Sequence, residues 1–290
     1  MQTEVVSDNR AELIRLALEE DFGSGDVTSL YFVPEGLVAR ALMRPRVRGV
    51  LSGVSMAADV FKAVDPSLKV EVCLHDGDEV SPEAVIMVIE GSARSILGAE
   101  RTALNFIQRL SGVASMTRRY VKAIEHTPCK LLDTRKTTPG YRLLEKAAVV
   151  HGGGNNHRLG LYDRAMVKDN HLMTDGNIEH LQACIDRLNA DRPGVEVELE
   201  ADSLAQVEAF LKLRGVDYIL LDNMSPEQMR EAVAMRGSRA KPYFEASGGL
   251  TLETAPAAAE SGVDFMSFGC LTHSVPSLDI GLDFTTLPRS

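Results

Sequence analysis

DTRKTTPGYRLLEKAAVVHGGGNNHRLGLYDRAMVKDNH, residues Asp133 to His171, carries the reading of the fold. The apolar run Cys129–Leu132 leads into it and Ala165–Val167 comes near its end. Between them Arg142–Val149 has the spacing of an amphipathic helix. Strand, helix and strand in that order make a βαβ unit, whose two strands lie parallel in one sheet. Polar residues follow each strand at once: Asp133, Arg135 and Lys136 after the first, Lys168, Asp169, Asn170 and His171 after the second. Charges just past the C-terminal ends of buried parallel strands are where α/β proteins place their chemistry.

The alternation continues towards the C-terminus. Val195–Glu200, Tyr218–Leu221, Tyr243–Ala246 and Phe265–Phe268 read as further strands, with helices near Ile178–Asn189, Leu204–Leu213, Pro226–Met235 and Leu252–Ser261. Asp202-Ser203, Ser225-Pro226 and Thr251 are suitable helix starts. A helix over Ser115–Glu125 opens this region. About this many βα units predict a barrel of the TIM type, or a shorter open variant, over residues 112–275.

Residues 1–111 lack the repeat. Ser7 or Asp8 can cap a helix running to about Glu20, and EDFGSGDVTS reads as a turn-rich loop. Val38–Met43, Arg46–Leu51, Lys69–Leu74 and Ala84–Glu90 read as strands, and Ser55–Val64 and Ile96–Leu110 as helices. This mixture predicts a separate α+β domain, against which the tail 276–290 packs back. Arg40, Arg44, Arg46 and Arg48 fall at even spacing and would share one face of an extended chain, either solvated or at an interface.

The formal charge is 31 − 41 = −10, an acidic balance that argues against nonspecific nucleic-acid binding. Against that background the opening stretch holds Arg135, Lys136, Arg142, Lys146, Arg158, Arg164 and Lys168 with only Asp133, Glu145, Asp163 and Asp169. A local cationic segment in an acidic chain points to a polyanionic small molecule. Cys73, Cys129, Cys184 and Cys270 form no C-x-x-C pair and read as small hydrophobes in a reducing compartment. The N-terminus has no basic and apolar leader pattern, and no apolar run approaches the roughly 20 residues that span a bilayer. The expectation is a cytoplasmic protein.

Taken strand end by strand end, the site gathers both signs of charge. Arg135, Lys136, His157, Arg158 and Lys168 suit carboxylates or phosphates. Glu200 and Asp222 suit Mg²⁺ or a developing positive charge. Glu196, Glu198 and Glu200 alternate onto one face of their strand, which is costly inside a barrel unless they are paired or meet a metal. Ser247-Gly248-Gly249 and Gly269, followed by His273, end the last two strands. Gly permits close backbone approach there, and free N–H groups can hold a phosphate. No H-E-x-x-H or clustered Cys/His spacing supports zinc.

EDFGSGDVTS, ERTALNFIQRLSGVAS, DTRKTTPG, GGGNNHRLGLYD, VKDNH, VELE, LLDN, EASGG and the FG of SFGCLTHS, in this order, resemble the quinolinate phosphoribosyltransferase family over nearly the whole chain. The resemblance implies an N-terminal α/β sandwich domain and an open TIM-like α/β barrel of fewer than eight strands. It implies a homodimer with sites at the subunit interface. It also implies the reaction of quinolinate with phosphoribosyl pyrophosphate to give nicotinate mononucleotide, pyrophosphate and CO₂, with Mg²⁺, in NAD synthesis. By matching motif, Arg135, His157, Arg158 and Lys168 would bind the quinolinate carboxylates, joined by Arg101 from the partner subunit. Lys136, Glu200 and Asp222 would surround the ribose, pyrophosphate and metal, making Lys136, Lys168, Glu200 and Asp222 the catalytic set. Ser247, Gly248 and Gly269 would cradle the 5-phosphate, with His273 nearby. VELE offers both Glu198 and Glu200, and the D-S-L that follows favours Glu200.

Three other readings fit parts of the pattern. One is a phosphoribosyltransferase for a related pyridine or pyrimidine acid, one a non-catalytic nucleotide-binding protein that keeps the pocket, and one a Schiff-base aldolase on a barrel.

Overall fold

The structure, a computed structural model, describes residues 9–168 and 178–286. The chain runs through α1 (Arg10–Phe22), α2 (Val27–Phe32), β1 (Val38–Pro45), β2 (Gly49–Val50), α3 (Val54–Val64), β3 (Lys69–Val72), β4 (Glu79–Val80), β5 (Met87–Ser92) and α4 (Ala93–Ile124). It continues through β6 (Lys130–Leu132), α5 (Arg142–His151), β7 (Arg164–Val167), α6 (Ile178–Asp191), β8 (Glu196–Ala201), α7 (Leu204–Phe210) and β9 (Tyr218–Asp222). Last come α8 (Pro226–Arg236), β10 (Tyr243–Ser247), α9 (Ala255–Ala259), β11 (Phe265–Ser267), α10 (Cys270–His273) and β12 (Ile280–Thr286). Two compact units result, interleaved along the chain: residues 1–118, 138–153 and 274–290 form one, and 119–137 with 154–273 the other. A single cut after residue 111 thus divides the sequence but not these units.

In the first unit four antiparallel strands lie in the order β12-β1-β5-β3. β1 pairs with β5 on one side and with β12 on the other, Ala39 opposite Thr286 and Pro45 opposite Ile280. Ala39, Ala41, Met43 and Pro45 turn inwards, and α3 contributes Met56, Ala57, Val60 and Phe61 to the core. Arg40 and Arg44 lie on the other face of β1. Arg40 meets Glu90 at 3.1 Å and Arg44 meets Asp283 at 3.8 Å across the strands, so the arginine series has a local explanation as cross-strand charge pairing. Arg46 and Arg48 fall beyond the strand end, because only Gly49–Val50 of the expected Arg46–Leu51 strand is extended and paired.

Two expectations for the first unit need correction. EDFGSGDVTS is not wholly loop: Asp26 accepts a hydrogen bond from the Ser29 N–H and caps α2. The expected break near Gly112 is absent, since α4 runs unbroken for 32 residues. A Cβ on Gly112 would lie 2.3 Å from the Pro276 carbonyl oxygen, so this glycine admits a close backbone neighbour and does not end a helix. The proposed caps Ser7 and Asp8 lie outside the described residues; α1 begins after Asn9, whose side chain makes no capping bond.

The second unit contains all six strands expected from the apolar runs, parallel and in the order β6-β11-β10-β9-β8-β7. Tyr218 to Leu221 of β9 are buried in succession, the mark of a parallel strand covered on both faces. β7 ends the ladder on one side, and on the other β6 makes one more parallel bridge, from Leu132 to Asn155. Ser225 and Gln228 form a reciprocal capping box with Pro226 in the first turn of α8. The last helix of the repeat starts later than Leu252, at Ala255.

Candidate active site

The C-terminal ends of β6 to β11 share one rim, as right-handed βα repeats require. Thr134, Arg135, Lys136, His157, Arg158, Met166, Lys168, Glu200, Leu220, Asp222, Asn223, Glu245, Ser247, Gly248 and Ser267 line a single pocket of about 360 Å³, all within the second unit. Nine of the residues picked from the sequence meet here: Arg135, Lys136, His157, Arg158, Lys168, Glu200, Asp222, Ser247 and Gly248.

Gly269 and His273 lie beside this set. A Cβ on Gly269 would come within 2.8 Å of Lys136 Cδ and 3.1 Å of the His273 ring, so the bare glycine leaves room for both side chains. The Thr272 hydroxyl donates to the Lys136 carbonyl at 2.7 Å and fixes the turn after β6. Arg101 is exposed on α4, in the other unit, and is not part of the pocket lining. Asp169, Asn170 and His171 lie outside the described residues.

The three glutamates of β8 show how the cost of an acidic strand face is met. Glu196 takes a hydrogen bond from Arg164 at 2.9 Å, and Arg164 also approaches Glu198 at 3.5 Å. Arg164 packs over the Tyr218 ring, 4.0 Å from its centre. Glu200 pairs with Lys168. Of the VELE pair, Glu200 lines the pocket, while Glu198 is fully buried and is not among the lining residues.

In the pocket wall lies a cluster that sequence reasoning caught only in part, with His157 and Glu245 lining the pocket and Glu198 behind them. His157 Nε2 stands 3.3 Å from Glu198 and 3.3 Å from Glu245, and all three residues are buried. Burial alone would lower the imidazole, but the two carboxylates overcome it and hold the group up at about 9. Burial and the charge of Glu245 push Glu198 up; Glu245, against its burial, is held low by His157. The Arg158 N–H donates to Nδ1 at 2.6 Å, so the proton that the cluster retains lies on the Nε2 side, among the ring and the carboxylates. The His157 N–H in turn donates to buried Asp133 at 2.8 Å.

These three ligand atoms lie close enough together to surround a metal ion. The contacts around these atoms do not suit one. A histidine bound through Nε2 normally donates from Nδ1, whereas here Nδ1 accepts, and Arg164 already compensates Glu198. Glu200 and Asp222 are the better oxygen donors for a hard cation, because both are half-buried and reach the pocket itself.

Glu245 was not picked out from the sequence, and Arg164 only as one charge of the cationic segment. The available signal for Glu245 was a lone charge within the apolar strand Tyr243–Ala246, since a carboxylate buried there needs a partner. On the acidic side of the pocket Asn223 has a positive φ of 55°, and a Cβ on Gly248 would fall 2.4 Å from its side-chain oxygen. Gly248 thereby lets the β9 and β10 turns approach closely.

A parallel α/β sheet with cations and carboxylates gathered at one rim defines an enzyme for small polyanions. The comparisons name the class more closely. Residues 26–111 match the N-terminal domain of quinolinate phosphoribosyl transferase and residues 113–283 its C-terminal domain. The chain belongs to the quinolinate phosphoribosyltransferase family. It is 42% identical to the carboxylating nicotinate-nucleotide pyrophosphorylase of Mycobacterium leprae, over 95% of this chain and 97% of that one. It is 40% identical to the chloroplastic enzyme of that name from Arabidopsis thaliana, over 94% of this chain and 82% of the relative. The solved nicotinate-nucleotide pyrophosphorylase of Francisella tularensis superposes with a TM-score of 0.90 at 36% identity, covering 97% of this chain and 98% of that one.

Proposed function

We propose that the strand-end pocket of the second unit is where quinolinate and phosphoribosyl pyrophosphate meet. The reaction is that of the family: the phosphoribosyl group passes to the quinolinate nitrogen, pyrophosphate leaves, and loss of the 2-carboxylate as CO₂ gives nicotinate mononucleotide for NAD synthesis. The observation that carries the reading is the separation of charge within one pocket, Arg135, Arg158 and Lys168 together with Glu200 and Asp222.

Each residue has a task in that scheme. Arg135, His157, Arg158 and Lys168 form the carboxylate subsite, where fixed positive charge offsets the repulsion between two polyanions. Glu200 and Asp222 stand where positive charge develops at the ribose C1 as pyrophosphate leaves, and stabilise it. Lys136 neutralises the departing phosphates. Ser247, Gly248 and Gly269 offer backbone N–H groups to the 5-phosphate, with His273 beside them. The pyridine nitrogen attacks C1 as the C1–O bond to pyrophosphate breaks; the positive ring nitrogen then stabilises the electron pair left on C2 by departing CO₂, and a proton from water completes the C–H bond there. Glu200 and Asp222 would hold Mg²⁺, which when bound supplies further charge neutralisation to the pyrophosphate.

The working form we infer is a homodimer in which Arg101 of one copy completes the carboxylate subsite of the other. The exposed apolar side chains of α2, with Tyr31 at 78% and Phe32 at 83%, support a face covered by another surface. All four cysteines are free, which supports a reducing compartment such as the cytoplasm. Among the described residues no helix is long and apolar enough to cross a membrane.

The test is consumption of quinolinate by the purified protein with phosphoribosyl pyrophosphate and Mg²⁺, beside a reaction with nicotinic acid and one without metal. Turnover of quinolinate with release of CO₂ is the expected result. Turnover of nicotinic acid alone, or of neither, would overturn the reading.

A further inference from the structure

Glu245 has no task in the reaction described above. It lies in the middle of β10, and neither of its carboxylate oxygens finds a well-aligned hydrogen-bond donor among the described residues. A carboxylate that merely fills space in a buried strand would be better replaced by an apolar side chain of its size, because desolvation opposes the charge. What Glu245 does have is the edge of the His157 ring, 3.3 Å from Nε2, with Glu198 at the same distance from the same nitrogen and the Ser267 hydroxyl near its own carboxylate.

Among the described residues, contacts that lead out from that ring run to the Arg158 side of the pocket. Nδ1 accepts from the Arg158 backbone at 2.6 Å, and the His157 backbone donates to Asp133 at the end of β6. The Arg158 guanidinium donates to the Arg164 carbonyl at 3.1 Å and lines the pocket. None of these contacts passes through Glu200, Asp222 or Gly248.

Resting on the functional reading above, we propose that Glu245 is a positioning residue for the subsite that takes the carboxylates of the pyridine substrate. With Glu198 it clamps the edge of the His157 ring, and the ring holds the Arg158 backbone so that the guanidinium stays set in the pocket. Although its side chain reaches the pocket wall, the role proposed for Glu245 is exerted through His157 and Arg158.

Glu245→Gln tests this, because it keeps the volume and removes the charge. In steady-state assays the KM for quinolinate rises by about tenfold or more while the KM for phosphoribosyl pyrophosphate changes by less than about twofold. Glu245→Asp, which returns the charge on a shorter arm, recovers part of that loss. Equal rises in both KM values, a fall in kcat with both KM values unchanged, or a Glu245→Asp enzyme no better than Glu245→Gln would overturn the proposal. Should Glu245→Gln give no cooperative melt, Glu245→Asp carries the test alone through the same division between the two KM values. A wild-type protein that does not turn over quinolinate would instead remove the functional reading.

Discussion

Arg135 and Asp163 are two residues with opposite kinds of work. Arg135 is half-buried at the end of β6, lines the pocket, and lies close enough to Arg158 for the two charges to repel. Such a pair is retained where an anion lies between. Arg135→Ala should therefore abolish quinolinate turnover while leaving the thermal midpoint near that of the wild type; near-normal activity would count against this site. Asp163 shapes the turn that carries Arg158: its carboxylate accepts the Leu159 N–H at 2.6 Å and the Gly160 N–H at 2.9 Å. Burial raises its pKa, but these backbone donors prevail and hold it below the ordinary 3.8. A depressed folded value means that the contribution to stability is complete above the unfolded pKa and is lost as pH falls through the folded one. Acid melts of the wild type and Asp163→Asn should differ at pH 6 and converge below pH 3.8.

At the scale of elements, α4 shows how a substitution that normally helps can be reversed by its surroundings. Replacing glycine by alanine inside an exposed helix gains about 1 kcal/mol. At Gly112 the new methyl would meet the Pro276 carbonyl oxygen at 2.3 Å and Ser277 Cα at 3.1 Å, both backbone atoms that cannot swing aside. Gly112→Ala should lower stability by about 1–3 kcal/mol, measurable in a urea melt. The same residue shows where the sequence misleads. Ser111-Gly112 reads as a gap between two helices, where α4 is one, because local propensity says nothing about a segment more than 160 positions away. The six parallel strands were legible because each is a short continuous apolar run between turn residues, a pattern that needs no distant partner to recognise. α2 was missed because Gly23 and Gly25 mark a turn, and the six residues after Asp26 are too few for helical periodicity to show. At the site, the strand-end charges could be read from their position alone. Glu245 could not, since its meaning depends on His157 from a different strand–helix unit.

For the molecule as a whole, the test of shared sites is complementation. Arg101 and Arg135 belong to different compact units, and in the proposed homodimer each active site takes one from each copy. Arg101→Ala and Arg135→Ala should each be inactive alone. Mixed and allowed to exchange subunits, they should recover up to about a quarter of wild-type activity, because a mixed dimer with two-fold symmetry places both lesions in one site and leaves the other intact. No recovery despite demonstrated exchange would mean that Arg101 serves its own chain's site or none.

The pairing of β1 with β12 has a further consequence for the life of the chain on the ribosome. β1 is complete at Pro45, yet its outer neighbour begins only at Ile280. Everything the second unit needs has been translated by residue 273. The part of the protein encoded later can thus close its sheet while the part encoded first still waits with one strand edge bare, inverting the usual N-to-C order of domain completion. A nascent chain stalled before Ile280 exposes that edge to its neighbours on a polysome. Its solubility should depend on chaperones to a degree that the full-length protein's does not, a difference that pelleting of the 1–279 fragment with and without them would reveal.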